Sequence, residues 1–349
     1  MMHNADMIPL FQRWLGNPVL DPRPGDWEGL QVRNPAVWRE DGLVYMVYTA
    51  RNIMNTIHLG LATSGDGLHF IRASDRPFLS PVPGEFDGGT VEDARIVRID
   101  GEYLITYSAR AVGKQDFLDG TRSPAAHGDG IAWTQNARRG GLLRTRDFRT
   151  IERLGPITSD NLYDCNIILF PERIKGRYVM LHRPSAYNEE VENLDKQDWS
   201  HLSGTRPGIH ISYSDDLRNW YGDQVLAVPE QPWEAIKIGG STPPLRTEAG
   251  WLLLYHGVSD TVSGGRFYRV GLMLLDLEDP YRVIARSPYP VMEPETAYEL
   301  TGTVPGVVFP TGIFVVDGLV HVYYGAADTV CCLATARLDR LLAYLKGFT

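Results

Sequence analysis

Cysteine is scarce in this chain: only Cys165, Cys331 and Cys332 occur among 349 residues. Adjacent cysteines do not bridge each other readily, so no disulfide framework is expected, and a reducing cytoplasm is the simplest home. No apolar run approaches the ~20 residues needed to cross a bilayer, so no membrane contact is expected. The opening MMHNADMIPLFQRW lacks a basic segment followed by an apolar one, so it does not read as a signal peptide. Positive charge is also short. Lys and Arg number 34 against 43 Asp and Glu, a net charge of −9. That balance argues against a nucleic-acid partner and fits a neutral or small anionic ligand, provided cations gather locally at its site. No G-x-S-x-G elbow, Walker loop or strand-linked G-x-G-x-x-G occurs. Neither H-x-H nor H-E-x-x-H spacing is present, so no metal site is expected. The signatures of WD40 interaction scaffolds are missing too.

What is present is a five-fold recurrence. A strand-like run opening on glycine appears as GLVYMVYTA from Gly42 and GEYLITYSA from Gly101. It returns as GRYVMLHRP from Gly176, GWLLLYHGV from Gly250 and GLVHVYYGA from Gly318. A second apolar stretch precedes each run: NPAVWRE, EDARIVRI, CNIILFPERI, STPPLRT and FPTGIFVV. Polar turns of one type follow three of them: SGDGLHF, TRDFRTI and SDDLRNW. LDLEDPYRVI is a looser relative. Two strands joined at a glycine turn, then a third strand and a turn, make one blade of a β-propeller. The expected fold is therefore all-β: one five-bladed propeller domain over residues 1–349, with its active site in the central channel. With 43% hydrophobic residues there is enough apolar material for blade-to-blade packing.

Two insertions break the spacing, from about Arg110 to Ala137 and from about Ser185 to Pro207. Both follow the second strand of their blade, so both should emerge on one face as a rim over the pocket. Surface decoration is the alternative for the acidic stretch Glu189–Glu192. At the end, Leu338, Leu341, Leu342 and Leu345 have helical spacing, which predicts a short C-terminal amphipathic helix.

Innermost strands line a propeller channel, so polar residues at their starts should converge. These are Arg33-Asn34, Glu92-Asp93-Ala94-Arg95, Asp164-Cys165-Asn166, Ser241-Thr242 and Phe309-Pro310-Thr311. The far ends of the second strands add Arg51, Arg110, His182-Arg183, His256 and Asp328. Such a set suits sugar chemistry: carboxylates move protons at a glycosidic oxygen, and planar Arg and Asn side chains grip hydroxyls or an anion. Neighbouring strand residues face opposite ways, so only one of Glu92 and Asp93 should enter the channel. Either Asp93 is an acid with Arg95 on the same side, or it is a buried, salt-bridged turn carboxylate. His182 and His256 stand at matching positions of their repeats, as hydroxyl or anion donors or as structural histidines. The Gly-rich KIGGSTPP (237–244) resembles a phosphate cradle only loosely, since no helix follows it.

At these motifs the chain resembles glycoside hydrolase family 130, the mannoside phosphorylases and related β-mannosidases. VEDARI, LFPERIKGRYVMLHRP, GWLLLYHGV, LLDLEDPYRVIARSPYPVMEPE and VPGVVFPTGI carry the resemblance, which runs from RNPAVW to YYGAADT. It implies a five-bladed propeller that cleaves β-mannosidic bonds of manno-oligosaccharides with inversion and without a metal or cofactor. Asp93 would be the proton donor, relayed through a sugar hydroxyl. Inorganic phosphate, as co-substrate, would attack the anomeric carbon and leave α-mannose 1-phosphate. Arg139 and His256 match phosphate-binding positions. Asn34, Arg51, Glu92, Arg95, Asp164, Arg183 and Asp328 are the expected sugar-contacting set.

Departures from the family pattern set up an alternative. The family's E-D-P-R reads E-D-A-R here, and N-K-D reads Asp164-Cys165-Asn166, so a lysine expected near phosphate is absent. His58 replaces an arginine, and Gly306 replaces the asparagine of V-P-N-V-V-F-P. Loss of cations favours the family's hydrolases, which use water and a carboxylate base ~6.5–9.5 Å from the acid. Glu189, Glu190 or Glu192 could supply that base. A non-catalytic glycan-binding propeller is the third reading. Retention of Asp93 and Arg95 speaks against it. Linkage, leaving sugar and assembly into a homo-oligomer stay open.

Overall fold

A computed structural model describes residues 9–25, 27–124, 128–185 and 207–349. Glu189, Glu190 and Glu192, proposed as a base, lie outside the described residues, as does most of the second insertion. The chain is all-β with few helices, and its strands form five antiparallel units. The first is β2 (Gln31–Glu40), β3 (Leu43–Arg51), β4 (Ile57–Ser64) and β5 (Ile71–Arg72). The second is β6 (Thr90–Ile99), β7 (Glu102–Arg110), β8 (Arg139–Thr145) and β9 (Ile151–Pro156). A single parallel pairing, Ile57 with Thr90, links these two. The third is β10 (Tyr163–Leu169), β11 (Tyr178–Ser185), β12 (Ile209–Ser214) and β13 (Trp220–Ala227). In the fourth, β14 (Lys237–Gly240) and β15 (Leu245–Thr247) share β16 (Gly250–Asp260), followed by β17 (Arg266–Leu275) and β18 (Val283–Arg286). The fifth is β19 (Val308–Val316), β20 (Leu319–Ala326) and β21 (Val330–Arg337), and its outer strand is β1 (Gln12–Arg13) from the other end of the chain.

Local chemistry explains the hairpins. Asp41-Gly42, Asp100-Gly101, Lys175-Gly176 and Asp317-Gly318 all have positive φ at both positions, the two-residue turn whose twist matches paired strands. The polar turns repeat as the sequence predicts. Ser64, Thr145 and Ser214 each accept a backbone N–H three residues on, while Asp66, Asp147 and Asp216 accept two each. Asp276 does the same in the looser fourth copy.

Each unit packs its apolar faces on its neighbours. Four clusters lie between successive units, and a fifth joins the last unit to the first through Tyr323, Cys331 and Leu333 against Val32, Met46 and Tyr48. Sheets covered on both faces read as nearly continuous apolar runs, which is why the second strands look as they do. The helix Leu338–Leu345 buries Leu341 and Leu345 on the cluster between the fourth and fifth units, as its spacing predicts.

Four units carry a clasp that the sequence reading did not detect. A second-strand tyrosine donates to a fully buried carboxylate, which also pairs with an arginine of the outermost strand. The sets are Tyr48–Glu28–Arg72, Tyr107–Asp87–Arg153, Tyr255–Glu234–Arg286 and Tyr324–Glu299–Arg13. Glycines 60, 141 and 271 face three of these tyrosines on the next strand, where a Cβ would collide with the ring. His182 occupies the tyrosine's place in the third unit. It is therefore the counterpart of Tyr255 rather than of His256, a one-residue correction that arises because Gly250 pairs with Thr247 as the first strand residue, whereas Gly176 is the second residue of its turn.

Candidate active site

The site is built from bulges. Where β2 meets β3 the register shifts between Arg33 and Ala36. It shifts again between Glu92 and Arg95, and between Cys165 and Ile168. Asn34, Asp93 and Asn166 stand in these bulges with φ of 51°, 57° and 57°. A left-handed residue in a bulge re-aims its side chain, and short Asn and Asp tolerate it best. All three line one cavity of about 170 Å³, together with Arg33, Arg138, Arg183, Lys237, His256, Tyr268, Phe309 and Asp328.

Only one carboxylate of the Glu92-Asp93 pair enters the cavity, as alternation leads one to expect, but the bulge keeps the two close. Both carboxylates reach the same guanidinium: Arg33 donates to Glu92 Oε2 at 2.7 Å and to Asp93 Oδ1 at 3.2 Å. Asp93 lines the cavity, while Glu92 lies behind it and also pairs with Arg138 at 3.2 Å. Asn34 Nδ2 donates to Asp93 Oδ1 at 2.7 Å. Asp328, half-buried, sits 3.8 Å from Arg33. Burial raises the Asp93 pKa, but Arg33, Arg138 and Arg95 outweigh it and hold the group below the usual carboxylate range. For Asp328, burial dominates over Arg33, and Asp93 and Glu92 add to it, so its pKa is raised.

The other end of the cavity is cationic. Arg183 and Lys237 lie beside His256, whose pKa is driven well below 6.5 by burial first and then by these cations and Arg95. His256 is therefore neutral. Its Nε2 faces Asn166 Nδ2 at 3.3 Å and its Nδ1 faces Ser241 Oγ at 3.1 Å, a pair satisfied by one imidazole proton on Nδ1. Gly239 makes this meeting possible, since a Cβ there would intrude on Asn166 Nδ2 and lie 2.6 Å from His256 Cε1. Clearance is thus what the glycine of KIGGSTPP provides to the site.

Several expected residues stand elsewhere. Arg139 points away from the cavity, donating to Thr158 O and lying over the Phe86 and Trp133 rings. Its neighbour Arg138 faces inward instead, because adjacent residues at the start of a strand take opposite sides. Arg95 is a buried strut that donates to Ser241 O and to the carbonyl of Asp93, with its guanidinium over Phe309. Arg51 bonds Asn55 across its own hairpin. Asp164 holds His182 at 2.8 Å outside the cavity lining. Arg138 and Tyr268 were absent from the expected residues, Lys237 stood only in the loose cradle KIGGSTPP, and Asn166 and Phe309 stood among the converging strand starts but outside the sugar- and phosphate-contacting sets. Asn166 had a signal, since it aligns with Asn34 and Asp93 in the repeat.

Comparison with known proteins places this geometry. The profile of the family described as beta-1,4-mannooligosaccharide phosphorylase matches residues 27–347. A 1,2-beta-oligomannan phosphorylase of Thermoanaerobacter sp. (strain X514) is 36% identical over 337 residues, 94% of this chain and 97% of that protein. A beta-1,4-mannooligosaccharide phosphorylase of Ruminococcus albus is 32% identical, covering 98% of this chain and 93% of that protein. Among solved structures, the beta-1,2-mannobiose phosphorylase of Listeria innocua in complex with beta-1,2-mannobiose superposes with a TM-score of 0.75 at 25% identity, over 97% of this chain and 99% of that one. On sequence and fold together, the chain belongs to glycoside hydrolase family 130.

Proposed function

We propose that this protein cleaves β-mannosidic bonds by inverting phosphorolysis, in the cavity between its two charged ends. The observation that carries the reading is the segregation of charge: Asp93 and Asp328 gather on Arg33, while Arg183 and Lys237 flank a neutral His256. A dianion beside an oxocarbenium-like centre calls for such cations. Where the resemblance leads one to expect a lysine, Cys165 accepts a hydrogen bond from Arg183 at 3.1 Å, and Lys237 reaches the cavity from β14. The cation is relocated rather than lost. Hydrolysis would need a second carboxylate to activate water. Among the described residues, the carboxylates lining the cavity are Asp93 and Asp328, and both attend Arg33. The phosphorylase names carried by the curated relatives point the same way.

In this mechanism the bond between C1 and the glycosidic oxygen breaks as a phosphate oxygen bonds C1 from the opposite face. The departing oxygen takes a proton passed from Asp93 through a sugar hydroxyl, and the product is α-mannose 1-phosphate. Hydrogen phosphate brings one proton and the leaving sugar keeps one, so Asp93 ends as it began. A sugar seated over Asp93 excludes water from the carboxylate and helps it hold that proton. Asn34 and Asp328 are placed to bind the sugar, and Arg138, Arg183, Lys237 and His256 to bind phosphate, with no metal or other cofactor. The five units are read as the blades of one five-bladed propeller domain spanning the chain. The packing of the fifth unit on the first supports that closure. Among the described residues no helix is long and apolar enough to cross a membrane. A cytoplasmic setting suits an enzyme that conserves bond energy as a sugar phosphate. The test is release of mannose 1-phosphate and of free mannose from β-mannobioses with and without phosphate. Mannose 1-phosphate formed only with phosphate is the expected result, and free mannose at a phosphate-independent rate refutes it.

A further inference from the structure

The clasp of the third unit has its polarity reversed. In the other four units, tyrosine and arginine converge on a buried carboxylate. Here an imidazole is the centre. His182 Nδ1 meets Asp164 Oδ2 at 2.8 Å, and its Nε2 meets Asp223 Oδ1 at 3.0 Å and Ser212 Oγ at 2.9 Å. The outermost strand, which elsewhere carries the arginine, supplies Asp223, and His210 caps that carboxylate at 3.2 Å. Two carboxylates on opposite nitrogens require both nitrogens to carry protons, so the clasp holds only while His182 is an imidazolium. His182 is buried and Asp223 half-exposed, so the chain of groups runs from solvent inward.

Its inner end reaches the cavity wall. Cys165 pairs with Arg183 and Ile168 with Leu181, which leaves His182 opposite the bulge that presents Asn166. Asp164 is the second residue of that strand, and its N–H donates to the carbonyl of Arg138 at 2.9 Å. His182 thus touches, through one neighbour each, the supports of Asn166, Arg183 and Arg138. We propose that His182 is a positioning residue whose imidazolium, clamped between Asp164 and Asp223, sets the bulge and the cations of the phosphate end of the cavity. The proposal rests on the phosphorolysis reading. The groups facing His182 are Asp164 from β10, His210 and Ser212 from β12, and Asp223 from β13. Burial alone would lower its pKa, but Asp164 and Asp223 together raise it to about 9.

The experiment follows mannose 1-phosphate formation against phosphate, mannoside and pH in the wild type, His182→Gln and Asp223→Asn. In His182→Gln the KM for phosphate should rise about ten-fold, the scale of one lost charge-assisted contact, while the KM for mannoside stays within about two-fold. The wild type should lose phosphate affinity as pH rises through about 9. Asp223→Asn should bring that loss to lower pH, a displacement that a merely structural residue would not produce. Should His182→Gln fail to fold, Asp223→Asn decides alone. An unchanged phosphate KM together with an unmoved alkaline limb overturns the proposal. A wild type that releases mannose without phosphate refutes the phosphorolysis reading instead. The clasp would then be read from the imidazole titration of His182 by NMR, which Asp223→Asn should still move to lower pH.

Discussion

Asn34 and Asp93 belong to different units yet meet at 2.7 Å, each from the same bulge position of its own unit and each with a left-handed backbone. The repeat thus brings equivalent residues together at the site, and the bulge turns them inward. The amide donor and Arg33 fix the orientation of the Asp93 carboxylate, while its own N–H is held by Thr49 Oγ1 at 2.8 Å.

Asp93→Asn keeps this shape and removes the proton. Turnover should fall by about 100- to 10,000-fold, the usual share of a general acid, with mannoside binding retained. Steady-state rates together with calorimetric binding of β-mannobiose check both halves, and unchanged turnover would sink the proton-donor role.

Arg138 and Arg139 separate the cavity from its casing. Arg138→Ala should cut kcat/KM for phosphate by about 100-fold, as loss of a buried charge-assisted contact does. Arg139→Ala should leave phosphate kinetics nearly intact and lower the melting temperature, since its guanidinium packs on Phe86 and Trp133. Reversal of the two phenotypes would return the phosphate role to Arg139.

Asp328 should trade stability for function. A carboxylate with a raised pKa destabilises the fold increasingly as pH rises through that pKa, because the charged form is the disfavoured one. Asp328→Asn should therefore raise Tm at pH 7 by about 1–2 °C, with the gain shrinking as pH falls toward the ordinary carboxylate range, while activity drops. Calorimetry at neutral and acidic pH reads the sign directly, and a lower Tm at pH 7 would contradict it.

Tyr324→Phe tests a clasp away from the chemistry. Removing one hydroxyl from Glu299, which keeps Arg13, should cost about 1 kcal/mol of stability and leave turnover unchanged at ambient temperature. Denaturant unfolding gives the stability, and a large loss of activity without a loss of stability would show that the clasp reaches the site.

Strands, hairpins and turns were legible because each depends on a short pattern, such as Asp-Gly between apolar runs or a hydroxyl two residues before an aspartate. Asp93 and Asn34 were legible because they lie near the starts of inner strands. Arg138 and Lys237 were not. Which of two adjacent arginines faces inward depends on where β8 begins, and Lys237 was hidden in a run whose glycines drew the eye. The clasps escaped because their members lie far apart in sequence: Glu28, Tyr48 and Arg72 meet only once the unit is folded. Bulges likewise leave no local mark: alternation leads one to expect a single carboxylate of the Glu92-Asp93 pair in the channel, as found, but not the Arg33 that both share.

The pairing of Gln12 with Thr335 and Arg13 with Ala334 has a kinetic side. A contact spanning almost the whole chain closes a very large loop, whose entropic cost must be met before the pairing contributes anything. Four units can collapse from neighbouring segments, but the fifth must wait for a strand from the far end of the polypeptide. Refolding should therefore finish there, with the edge of β21 the last backbone to gain protection from hydrogen exchange.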